Sequence, residues 1–537
     1  MISFVQSNAH GGEVYTTLTG VTAGNLIVVG FSEIKDASPT TLSCSDGTST
    51  LQAVSESNGT YVRWRFFYLL SANSGNRTYT VSGANGSVQS TIVMEFSYTG
   101  SLSLEDYSNN SDDESTSVSS GNIQPSGYSL VLGGSYAYGG STYSSCQVNG
   151  VAADGQKSHS DLNTWPPMWY RVVTAGFDGA ATCTTADPGS YAASAISFRE
   201  QTITITRVVD PDMGSGYDYD SLSDWEADLG GTTSGNLPAD NEIAVAKCRC
   251  TGGTADTTAV TINGWTTDST RYIKIWTDPS ESYRHNGTWQ TGNKYRIVSS
   301  ASWGQGTLRI AEQYVRIIGL QIDNTAEDQA NGIVADSSAQ STSSYLLISH
   351  NILRLSGGGG SSSHYGITHI DRLNSYVINN IVYGWEYGIN IGYSEVAVNI
   401  CIYNNTIVNC SSSCVVNYSY SGANVRLYNN IAQGTSSEGN YDYVVGPDAS
   451  GSNISSDTTS PNAAYRSKTV TFVGSGNYHL SSSDTEARNN GTNLYNDSYY
   501  AFQTDIDGDD RGGSGASWDI GADEYVAAYP YYAYAQQ

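Results

Sequence analysis

The feature that most constrains this chain is a repeat between about Val315 and Ala432. An apolar pair recurs just after an asparagine or a polar turn, at Gly319-Leu320-Gln321-Ile322, His350-Asn351-Ile352, Asn379-Asn380-Ile381, Asn405-Thr406-Ile407 and Asn429-Asn430-Ile431. From Asn351 to Asn380, Asn405 and Asn430 the spacings are 29, 25 and 25 residues. A second series runs out of phase with it, through Gly332-Ile333, Gly366-Ile367, Gly388-Ile389 and Cys414-Val415. Periods of this length belong to solenoids and propellers. Each holds short strands of alternating Val, Ile or Leu and polar residues, without a helical stretch between them. The pattern predicts coils of a right-handed parallel β-helix, with Ile and Val inward and asparagines stacked in the turns, amide to amide from coil to coil.

A length of 537 residues allows several domains. The 57 glycines and 40 tyrosines, with only 24 Lys and Arg, describe an all-β protein rich in turns. The formal net charge of −27 argues against sequence-independent nucleic-acid binding, which needs cations to displace counterions. It also favours uncharged or cationic targets over polyanions. No apolar run is long enough to span a membrane, so no insertion is expected. The opening Met1-Ile2-Ser3-Phe4-Val5-Gln6-Ser7 lacks the basic and apolar regions of a secretory signal. It suggests a protein that leaves the cell by another route, such as release within a virus particle.

Eight cysteines are too few for a disulfide scaffold at this length. Cys44, Cys146 and Cys183 form an odd set, and Cys410-x3-Cys414 lacks a second ligand pair at finger-like spacing. Buried thiols or one disulfide are expected, and no metal centre.

Residues 1–200 read as a β-sandwich, with strand-like runs such as Leu26-Ile27-Val28-Val29 and Ala195-Ile196-Ser197-Phe198 between turn clusters such as Ser45-Asp46-Gly47. The acidic stretch Glu105 to Glu114 reads as a solvated loop interrupting it. Residues 201–310 read as the opening coils and N-terminal cap, with Leu222, Trp225 and Leu229 at helical spacing behind a Ser221 N-cap. Residues 311–445 hold the regular coils, and 446–537 the last coils, a closing loop and a Tyr-rich tail.

The first 200 residues, from Phe4-Val5-Gln6-Ser7 to Ala195-Ile196-Ser197-Phe198, resemble a module of bacterial surface and phage proteins. The resemblance implies a jelly-roll-like accessory domain without catalytic residues. Val260 to Asp268, Tyr272 to Ile275 and Arg284 to Trp289 resemble the opening coils of the pectate-lyase-like β-helix superfamily. Asp505-Ile506-Asp507-Gly508-Asp509-Asp510-Arg511 and Asp519-Ile520-Gly521-Ala522-Asp523-Glu524-Tyr525 are similar to the closing segment of many such proteins. That closing motif reads as an Asp-rich turn capping the solenoid. A calcium loop is the lesser reading, because Gly508 is fourth and Ala516 twelfth where an EF-hand wants Gly sixth and Glu twelfth.

Hydrolysis of glycans needs two carboxylates, and the candidates are Glu386, Glu395 and Asp371. His350, His364 and His369 read as turn or surface histidines, and no nucleophile elbow or phosphate loop appears. Tyr383, Trp385, Tyr387, Tyr393 and Tyr403 cluster within one or two coils and are candidate platforms for sugar rings. The favoured function is a structural or adhesive virion protein of fibre, spike or decoration type, meeting cell-surface polysaccharide and other virion proteins. A homotrimer is implied by resemblance alone. The alternatives are a polysaccharide-degrading hydrolase or lyase on the same scaffold, and a secreted bacterial surface protein. No cofactor is expected beyond the calcium alternative.

Overall fold

The structure, a computed structural model, describes residues 2–526 except 37, 39, 55, 99, 126–128, 139–142, 158–166, 174–176, 232–234, 303–304, 336–340, 358–362, 371–372, 393–396, 418–422, 435–440 and 445–446. The chain divides into two compact units, Met1–Ile203 and Thr204–Gln537.

The first unit is built from antiparallel sheets. Leu26–Ile34 lies in the middle of a six-stranded sheet and is buried almost throughout. The period of two explains this. Val28 faces one way, in a core with Trp64, Phe66, Met94, Leu132 and Phe198. Ile27, Val29 and Phe31 face the other way, in a core with Leu18, Tyr79 and Val81 of a three-stranded sheet. The sheets therefore form three layers. The acidic stretch expected as a loop is instead the middle of a long strand, Ser101–Ile123, paired antiparallel with Gly179–Gln201. Its Ser, Asn and Asp residues hid the strand because neither face carries an apolar series. Cys146 and Cys183 form a disulfide, and the other six cysteines are buried.

The second unit is a right-handed parallel β-helix of three sheets. The first sheet stacks Glu242–Cys248, Ile273–Trp276, Val315–Ile318, Ser341–Ser349, Leu373–Ile378, Asn399–Tyr403, Asn424–Tyr428 and Ala449–Gly451. The second stacks Arg296–Ser299, Gln321–Asn324, Ile352–Leu355, Ile381–Tyr383, Thr406–Val408, Ile431–Gln433 and Ile454–Ser455. The third runs from Val260–Ile262 to Tyr441–Val444. Ile275, Ile317, Ile348, Val377, Ile402 and Leu427 stack rung on rung inside. The helix Leu222–Leu229 covers the first coils, its Ser221 N-cap accepting the Asp224 N–H and Trp225 stacking on Trp265 at 5.2 Å.

Between the first and second sheets the chain turns sharply, with His350, Asn379, Asn404 and Asn429 at positive φ. The residue after each is the expected ladder. Asn351 donates its side-chain amide to Asn380 Oδ1 at 3.0 Å, Asn380 to Asn405 at 3.0 Å, Asn405 to Asn430 at 3.0 Å and Asn430 to Asn453 at 2.9 Å. The closing motif lies along this corner rather than over the end of the solenoid. Asn379 donates to Thr504 O, and Asn404 to the carbonyls of Asp519 and Gly521. The buried Arg511 donates to Asn379 Oδ1 and to the carbonyls of Gly521 and Ala522. The turns leave these amides pointing outward, and the motif supplies their partners.

Candidate functional site

Alternation along the first sheet sends one set of side chains inward and the other outward. Lys274 stands opposite Arg316, Arg316 opposite Leu347, Leu347 opposite Tyr376, Tyr376 opposite Cys401, and Cys401 opposite Arg426. Beside this row stand Tyr345, Asn374, Asn399 and Asn424. The outer face of the sheet is thus a strip of tyrosines, asparagines and cations.

A stretch of the chain around residues 494–502 packs on this strip through Leu494, Tyr500 and Phe502. Tyr500 lies 4.9 Å from Tyr376, and Tyr345 is 6.4 Å from Tyr376. Burial pushes the Tyr500 phenol up to about 12, so its hydroxyl stays protonated. Two cavities border the stretch. One, of about 340 Å³, is lined by Arg316, Tyr345, Asn374, Tyr376 and Tyr500 among others. The other, of about 510 Å³, is lined by Arg426, Tyr428, Asn493, Asn496 and Asp497 among others. Arg426 lies 4.1 Å over Tyr499 and 3.7 Å from Asp497. Aromatic rings with amide and guanidinium donors around a shallow cavity can stack on a sugar ring and bond its hydroxyls.

The residues expected at the site are distributed differently. Trp385 is fully buried in the β-helix core, under the glycines of the third sheet. A tryptophan there cannot present a face to a ligand. Tyr403 is also fully buried, packed with Leu494 and Trp518 and bonded to Arg426 Nε at 3.0 Å. Tyr383 packs on Tyr478 at 5.1 Å, and burial pushes its hydroxyl up to about 12. Tyr387 remains half-buried on the third sheet and stacks on Tyr365 at 5.0 Å. Glu386 accepts the His364 N–H at 3.3 Å. Asp371, Glu395 and Tyr393 lie outside the described residues, so no carboxylate pair with Glu386 is described. Of the histidines read as turn or surface groups, His364 lies just before the strand Tyr365–Thr368 and is buried, its Nδ1 accepting the Ala330 N–H. Arg354 reaches the buried Asp323 at 2.8 Å.

Sequence reasoning missed Lys274, Arg316, Tyr345, Tyr376 and Tyr500. The signal was present in Tyr272-Ile273-Lys274-Ile275-Trp276, Tyr314-Val315-Arg316-Ile317 and Val425-Arg426-Leu427-Tyr428. Superposing the coils on their inward aliphatics brings these outward residues into one strip.

A second polar cluster lies in the closing motif. His479, Asp507 and Asp523 bring ligand atoms within 4.8 Å of one another, as do Asp505, Asp507 and Asp509. Burial pushes Asp523 and Glu524 each up to about 7. Calcium fits poorly here. Asp505 Oδ1 already accepts the N–H groups of Asp507, Gly508 and Asp509, and its Oδ2 that of Glu524. His479 Nε2 faces Asp507 at 2.8 Å, a nitrogen where a hard cation wants oxygen.

No family model matches the chain, and no curated protein matches it. Among solved structures, it is similar to the catalytic unit of a GH87 alpha-1,3-glucanase from Streptomyces thermodiastaticus, with 10% identity over 65% of this chain and 96% of that one, at a TM-score of 0.19. A GH87 alpha-1,3-glucanase catalytic domain in complex with nigerose has 10% identity over 66% and 84%, at 0.16. The Agl-KA catalytic domain has 13% over 66% and 78%, at 0.17. Similarity this slight carries no argument about function.

Proposed function

We propose that this protein is a glycan-binding β-helix, which takes polysaccharide chains along the outer face of its first sheet. The observation that carries the reading is the cavity of about 340 Å³ bordered by Tyr345, Tyr376 and Tyr500, with Arg316 and Asn374 at its wall. Rings 4.9 Å apart give a stacking surface, and the amide and guanidinium give directional donors. The setting is extracellular, at a cell or virion surface. The Cys146–Cys183 disulfide favours an oxidising environment. Retention of the protein on a panel of capsular and cell-wall polysaccharides tests this. Retention that falls in Tyr376→Ala and Tyr500→Ala supports it, and the same retention in those variants sinks it.

A second reading, polysaccharide hydrolysis, is favoured by one observation. Asp507 and Asp523 bring carboxylate oxygens within 4.8 Å, near the separation of retaining enzymes, and Asp523 is protonated up to about pH 7. Asp523 would act as the acid and Asp507 as the nucleophile. Shortening of the bound polysaccharide that disappears in Asp507→Asn establishes that reading.

A further inference from the structure

Lys274 and Arg316 face each other on adjacent parallel strands of the first sheet, on its outer side. Like charges directly opposite one another destabilise a sheet. Among the described residues neither has an ion-pair partner. The acid whose charge bears on Lys274 is Asp278, and it is taken up by Lys247 at 3.4 Å and by Ser280. What holds the two cations is aromatic. Lys274 Nζ sits 3.2 Å over the Trp276 ring. The Arg316 guanidinium sits 3.6 Å over Tyr272, and its Nε donates to the Tyr345 hydroxyl. Ring faces attract a cation but leave its charge in place.

A third cation adds to the same field. The Arg284 charge depresses Lys274, and the buried Arg284 Nε has no hydrogen-bond partner. Burial, followed by the Arg316 charge, pulls the Lys274 amine down to about 8. A chain with 51 acidic residues against 24 basic ones thus gathers three cations here. Asp278 bears on Lys274 and on Arg284, and Asp505 and Asp507 bear on Arg284, but among the described residues no acid pairs with Lys274 or Arg316. The local field runs opposite to the net charge, which by itself favours uncharged or cationic targets.

We infer that Lys274 and Arg316 form a recognition site for the oxyanion of an acidic sugar, so that the groove selects polysaccharides carrying carboxylate or sulfate groups. The inference rests on the reading of the groove as a glycan site. Arg316 belongs to both: it lines the cavity with Tyr345, Tyr376 and Tyr500 and faces Lys274 across the strands. A sugar stacked in the cavity therefore brings its acidic substituent to the guanidinium, which holds two oxygens at once. The neighbouring ammonium adds a point charge. The bound anion removes the repulsion that the free protein carries.

The full chain is titrated by calorimetry with polygalacturonate, dextran sulfate and uncharged dextran, alongside Lys274→Gln/Arg316→Gln, Tyr376→Ala and Tyr500→Ala. Melting curves confirm that each variant folds. The expected result is binding of polygalacturonate or dextran sulfate at least about tenfold tighter than dextran, a preference lost in the double variant and weakened by salt. The two polyanions distinguish a carboxylate site from a sulfate site. Equal binding of dextran and both polyanions overturns the inference and leaves a neutral-sugar groove, and a preference that survives in the double variant overturns it by placing the anion site on other residues. Polyanion binding that ignores both tyrosine variants overturns the groove and leaves the anion site. Failure to bind any of the three overturns both.

Discussion

At the corner between the first and second sheets, Asn351, Asn380, Asn405 and Asn430 are fully buried, and every side-chain amide meets the next. On the outer face of the first sheet, Lys274 and Arg316 stand opposite each other, their charged ends held by rings and, among the described residues, by no ion pair. Both regions are polar strips running coil to coil on the same scaffold. In one, each donor has its acceptor inside the chain, so the strip fixes register and resists unfolding. In the other, charge is left over, which costs stability in the free protein and is available to a ligand. Regular repetition thus distinguishes the two roles by how completely the polar groups are satisfied.

The strongest way to break this contrast is Arg511→Ala. It leaves Glu524 without its partner at 3.1 Å and strands Asn379 Oδ1 beside two carbonyls, all against the ladder corner. A loss of about 3 to 5 kcal/mol is expected from denaturant unfolding. Asn405→Ala comes next. It removes the bonds to Asn380 and Asn430 and the one donated to the Val377 carbonyl, an expected loss of about 2 to 3 kcal/mol in the same assay. If either variant unfolds at the wild-type midpoint, the corner is not the structural region proposed. On the other strip, Lys274→Gln/Arg316→Gln should change stability in the opposite direction. Relief of the paired charges is expected to stabilise by up to about 1 kcal/mol. A clear loss of stability would mean that those cations hold the sheet rather than await a ligand.

The smallest expected effect is on pH dependence. Burial raises Asp523 from its ordinary value near 3.8 to about 7, so the folded state binds a proton that the unfolded state has released between those values. That contribution to stability is complete below about 3.8 and is lost as pH rises through about 7. Melting temperature should therefore fall across this window, and Asp523→Asn should flatten the fall. An unchanged slope would remove Asp523 as its cause.

Much of the β-helix was legible because the inward aliphatics and the ladder asparagines recur with the period of the coil. Asn380, Asn405 and Asn430 were readable one by one, since each precedes a buried residue of the second sheet: Ile381, Thr406 or Ile431. The site was less legible. Trp385 and Tyr403 look like surface aromatics in a Gly- and Asn-rich stretch, yet both are buried. Trp385 fills the space that Gly332 and Gly366 leave open, and only tertiary packing shows that glycines there face inward. Tyr403 points outward from its strand but is covered by a segment more than 90 residues later, around Asp497. The strip formed by Lys274, Arg316 and Tyr376 draws on three coils and the closing segment, so no local window contains it.

Hydroxyl-radical footprinting of the full chain, with and without polygalacturonate, tests the central claim most directly. Bound polysaccharide is expected to protect Tyr345, Tyr376 and Tyr500 together, while Tyr365 and Tyr387 on the third sheet keep their free reactivity. Protection of Tyr365 and Tyr387 with unchanged reactivity at Tyr345, Tyr376 and Tyr500 would contradict the account.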